Sequence, residues 1–73
     1  MKILFVSQSA DKTKTAITVR LDTANNFADS FPYQTHLFYE NGHTELHSVS
    51  PTIEDAIWNH RLLCEKCYIR INV

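Results

Sequence analysis

Glycine is almost missing from this chain: Gly42 is alone among 73 residues. A phosphate-cradling loop needs several glycines so that backbone N–H groups can approach the ligand, and nucleotide-binding loops of that kind are excluded. Two cysteines, Cys64 and Cys67, are too few and too close together to staple a secreted scaffold. No apolar run approaches the roughly 18 residues of a membrane span. The run from Ile3 to Val6 is also shorter than the core of about 7–15 residues in a secretory leader. A dominant charge sign is lacking too. Seven Lys and Arg against eight Asp and Glu leave a net charge of -1. That balance removes both the whole-chain footprint of a nucleic-acid binder and the acidity of a DNA mimic. The expected location is the cytoplasm.

What is there suits a folded domain: 44% of residues are hydrophobic and 21% charged, so the chain is neither a tail nor a linker. Residues 1–73 are too few for two cores and are read as a single small α+β domain. Domains below about 70–80 residues often lean on a metal, a disulfide or a partner, so a partner or a homodimer is expected.

Residues 2–7 are apolar on both sides of a pleat, as in a central strand. Thr15 to Leu21 alternates, which places Thr15, Ile17, Val19 and Leu21 inward and Ala16, Thr18 and Arg20 outward. Residues 22–32 read as a loop or one helical turn, pinned by Phe27 and Phe31. Asn41-Gly42 between two alternating runs predicts a two-residue type I′ turn. That register sets Phe38 against Glu45, Leu37 against Leu46 and His36 against His47. Leu37, Tyr39 and Leu46 then share the core face, with Gln34, His36, Phe38, His47 and Val49 on the other.

A helix follows, capped by Thr52 or starting at Ser50-Pro51, with Glu54 and Asp55 in its first turn. Ile53, Ala56, Ile57, His60, Leu63, Cys64 and Cys67 fall on one side of it, while Trp58 and Leu62 fall on the other. Tyr68 to Val73 alternates as a last strand. The order is β-β-β-β-α-β: a mostly antiparallel sheet of about five strands with one α-helix packed on one face. The run Ser50-Pro51-Thr52-Ile53-Glu54-Asp55-Ala56-Ile57 resembles the helix start of HicB-type antitoxin domains. No function is carried over from it.

Four chemistries are weighed on these residues. Cys64-Glu65-Lys66-Cys67 has redox spacing, but a helix C-terminus disfavours the thiolate that such chemistry needs. His60, Cys64 and Cys67 share a helix face and offer three zinc ligands, with His43 or His47 as a fourth. Arg20, Phe38, Tyr68 and Arg70 would form a nucleic-acid platform if they share the outer sheet face. No nucleophile stands beside a recognisable base, so catalysis is not expected. Trp58 and Leu62, framed by Arg61 and Glu65, form an anchor for a partner unless the loop of residues 22–32 covers them. The leading expectation is a non-catalytic protein-binding module without a cofactor, an inhibitor or regulator of a larger protein complex. Phage-encoded anti-defence proteins such as anti-CRISPRs are the class in view. A zinc-stabilised module and a nucleic-acid-binding sheet are the alternatives.

Overall fold

The computed structural model describes residues 1–22 and 30–67. Four strands, β1 (Lys2–Gln8), β2 (Lys14–Arg20), β3 (Tyr33–Tyr39) and β4 (Thr44–Ser50), pair antiparallel in the order β1-β2-β3-β4. Helix α1 (Ile53–Lys66) packs on one face of that sheet, against β2, β3 and β4. The α+β class is as expected. The fifth strand expected over Tyr68 to Val73, and Phe27 of the loop, lie outside the described residues.

The helix begins where its sequence asks it to. Thr52 is the N-cap, and its hydroxyl accepts the Asp55 N–H at 3.2 Å, with Glu54 and Asp55 in the first turn where the dipole favours anions. It ends at Cys67, whose N–H bonds the Leu63 carbonyl at 3.0 Å. Ala56, His60, Leu63 and Cys64 are buried, so the expected inner side is largely right. Ile57 is not: it is 41% exposed and sits at the rim.

Strand pairing identifies the two faces of the sheet. Ser7, Ala16, Leu37 and Glu45 form one row across the four strands, and Phe5, Thr18, Thr35 and Ser48 the next. These rows lie under the helix. Ala16, Leu37, Leu63 and Cys64 are the core cluster, with Tyr39 and Cys67 packed against it. The opposite face carries the row Val6, Ile17, His36 and Leu46, flanked by Ile3, Val19, Gln34 and Val49, and by Gln8, Thr15, Phe38 and Thr44.

The expected sidedness of β2 is therefore inverted. Ala16 and Thr18, read as outward, are fully buried beneath α1, while Ile17 and Val19 lie on the other face, where Ile17 is half-buried and Val19 is buried as expected. Period two says which residues share a face, but not which face receives the helix. Small residues on β2 let the helix come close, and the aliphatic side is left for the other face.

The β3–β4 turn also departs from expectation. A type I′ turn needs positive φ at both central residues, yet only Gly42 has it, at 91°. Gly42 donates its N–H to the Tyr39 carbonyl at 3.0 Å, and Tyr39 donates to the His43 carbonyl at 2.8 Å. This is a β-turn closed by a left-handed glycine, a longer loop than Asn-Gly alone implies. Near the turn the pairing shifts by one, to Phe38 with Thr44, Leu37 with Glu45 and His36 with Leu46. A bulge opposite Thr35/His36 absorbs the shift, and Thr35 meets Ser48 in the expected register. A one-residue slip exchanges faces. Leu46 consequently leaves the core for the open face, and the expected His36–His47 pairing is not formed.

Candidate functional site

The outer side of α1 presents Trp58, 60% exposed, one turn before Leu62, 40% exposed, with Ile57 beside them. Glu54, Arg61 and Glu65 are exposed around this patch. Most of the loop expected to cover this patch, residues 23–29, lies outside the described residues, and Trp58 is exposed. Large aromatic groups with an aliphatic neighbour and a charged surround are the composition of a protein-binding anchor.

Beneath the same helix runs a chain of buried polar groups that no sequence motif marks. His60 Nε2 lies 2.9 Å from Ser7 Oγ, and His60 Nδ1 lies 2.8 Å from Thr18 Oγ1. Thr18 Oγ1 in turn lies 2.8 Å from Thr35 Oγ1. Ser50 Oγ accepts from Asn59 Nδ2 at 2.8 Å further along the helix. Ser7, Thr18, Thr35, Ser50 and His60 are all buried, and no buried side-chain polar atom among the described residues lacks a partner. The signal that would have found this chain is the histidine itself, since a polar ring on the buried side of a helix requires partners from the sheet. Burial holds the His60 pKa below its ordinary value, so the ring is neutral near pH 7. Ser7 and His60 have the spacing of a nucleophile and its base, but both are buried, and the hydroxyl faces the helix–sheet interior.

The zinc set fares differently from its sequence pattern. Both ring nitrogens of His60 are engaged by hydroxyls, so the ring offers no free lone pair to a metal shared with Cys64 and Cys67. Among the described residues no three or more His, Cys, Asp or Glu side chains come together as a metal site. His43 is paired with Glu45 at 3.2 Å on the exposed hairpin, and His47 contacts Ser48 at 3.2 Å. Cys64 and Cys67 are free thiols; burial pushes the Cys64 thiol up, against a lowering hydrogen bond from Ser7.

The nucleic-acid set is divided by the sheet. Arg20 belongs to the row of Lys2 and Tyr33 on the helix side, and Phe38 belongs to the open side. Tyr68 and Arg70 lie outside the described residues. A cleft of about 320 Å³ at the β1–β2 turn is lined by Ser9, Ala10, Asp11, Thr13, Lys14 and Cys67. The carboxylate there is occupied by its own loop. Ser9 and Thr13 hydroxyls each donate to Asp11 at 2.7 Å and the Thr13 N–H at 3.1 Å, which lowers its pKa to about 2.

No family model, curated protein or solved structure matches the chain. No helix among the described residues is long and apolar enough to cross a membrane.

Proposed function

We propose that this protein is a non-catalytic binding module that engages a larger protein through the outer side of α1. The reading rests on one observation: Trp58 is 60% exposed on a capped, regular helix, with Leu62 and Ile57 beside it. A Trp on a regular helix has little conformational freedom left to lose on binding, and burying it in a groove gains a large apolar area. Arg61 and Glu65 sit where a polar rim would meet the partner and set orientation. Inhibition or regulation of a complex, including the anti-defence roles of phage proteins, is the kind of action such a module performs by occupying a surface.

The test is comparative capture from native lysate with the tagged wild-type chain and the variants Trp58→Ala and Leu62→Ala. Exposed substitutions change stability by no more than about 0.5 kcal/mol, so both variants should melt close to wild type. Trp58→Ala should lose the captured protein, because truncating a central aromatic anchor commonly costs about 2 kcal/mol or more. Equal capture by wild type and Trp58→Ala, with both folded, overturns the reading.

A further inference from the structure

The sheet face away from α1 is uncharged and rich in aliphatic side chains. Ile3, Val6, Ile17, Phe38, Leu46 and Val49 stand on it, and its twelve paired positions include no Lys, Arg, Asp or Glu. Val6 and Leu46 remain 55% exposed and Ile3 58%, whereas Val19 on the same face is buried, at 4%. The helix side, by contrast, carries Lys2, Arg20 and Glu45 at its margins and, around Leu37, the small or hydroxylated Ser7, Ala16, Thr18 and Thr35 at its centre. The bulkier aliphatic surface of this sheet thus faces away from its own helix.

We propose that this face is the docking surface for a second copy of the same chain, forming a two-layer sandwich with the helices outermost. Three observations select a copy over another occupant. A face without charge meets its own image without like-charge repulsion, which is the condition that two-fold self-association imposes. Its apolar side chains, Ile3, Val6, Ile17, Phe38, Leu46 and Val49, are interleaved with the uncharged Gln8, Thr15, Gln34, His36 and Thr44, so each copy brings both apolar area and neutral hydrogen-bonding groups to the seam. Its size also fits. Four strands about 4.8 Å apart, each of seven residues rising about 3.3 Å, give a flat footprint of about 440 Å². Side-chain relief adds to that figure, and specific interfaces begin near 600 Å² per partner. A monomer's own stability points the same way, since the core cluster among the described residues is small: Ala16, Leu37, Leu63 and Cys64.

Sedimentation of the full chain across a wide concentration range tests this. The wild type should sediment as a dimer that dissociates on dilution. Val6→Lys and Leu46→Lys should each weaken association by about a hundredfold or more while circular dichroism retains the fold, because each puts an unpaired charge into a dry interface. Trp58→Ala should remain dimeric, which separates this face from the helix patch. If a lysine variant fails to fold, Val6→Thr, which keeps the side-chain shape, must still move the dissociation midpoint to higher concentration. A wild type that is monomeric at every concentration overturns the proposal. So does a dimer indifferent to these substitutions, or one lost on Trp58→Ala.

Discussion

His60 holds its place through two hydroxyls on neighbouring strands, Ser7 on β1 and Thr18 on β2. A neutral imidazole has one donor and one acceptor, and each hydroxyl can serve either, so the chain is satisfied only while the ring is neutral. A second proton would leave an added charge half-way between helix and sheet with no carboxylate bonded to it. The linkage sign follows from the depressed folded-state pKa. Stability is fully present above the ordinary histidine value of about 6.5 and falls as pH drops from there through the lower folded value, because the unfolded chain binds the proton first. His47 contributes with the same sign, its pKa lowered by burial and by Lys66. Urea midpoints should therefore decline from about pH 7.5 to 5. His60→Gln, which keeps a donor and an acceptor, should remove a distinct share of that slope and His47→Gln a further one. An unchanged slope in His60→Gln would show that the buried ring does not titrate in this window. The inward position of His60 was legible from helical spacing. Its partners were not, because Ser7 and Thr18 look like ordinary strand residues until the face of each strand is known.

At the scale of elements, the β3–β4 loop shows how one residue decides a register. Gly42 has φ of 91°, and a Cβ built there meets nothing within 4 Å. Replacing it therefore tests backbone conformation without packing. Gly42→Ala should cost about 1 kcal/mol, the scale of a left-handed L-residue, and Gly42→Asn less, since Asn tolerates that region better. Equal urea midpoints for all three proteins would contradict the assigned loop. Asn41 supports the same geometry by accepting the His43 N–H at 2.9 Å on its side chain. Asn-Gly correctly marks a hairpin here, and the Thr52 cap correctly starts α1. The loop type was not legible, because Asn-Gly is compatible with more than one hairpin length and the difference is a single residue. That residue moved Leu46 across the sheet. The helix patch of Trp58 and Leu62 could be read from spacing alone, whereas the open sheet face could not: its assignment depends on this register and on the sidedness of β2.

For the whole molecule, the strand order β1-β2-β3-β4 has a kinetic consequence. Each strand pairs with its neighbours in sequence, so the sheet can assemble by closing short loops, each at a small entropic cost. Helix α1 adjoins β4 but must also settle on β2 and β3, far back along the chain, and it gains most of its burial only when that surface exists. Hairpins first and helix docking last is the order this topology favours. Leu63 reports on the last step, being buried from the helix side against Ala16 and Leu37. Leu63→Ala should destabilise by about 2–5 kcal/mol. In stopped-flow chevrons nearly all of that loss should appear as faster unfolding, with the refolding limb little changed. A refolding rate that falls by the full amount would mean the helix is already seated at the barrier. If docking is late, the last event of folding is also the one that shuts His60 and Cys64 away from water. The Cys64 thiol and the His60 imidazole would then be open to solvent for nearly the whole time a new chain takes to fold, and again whenever the helix alone lifts.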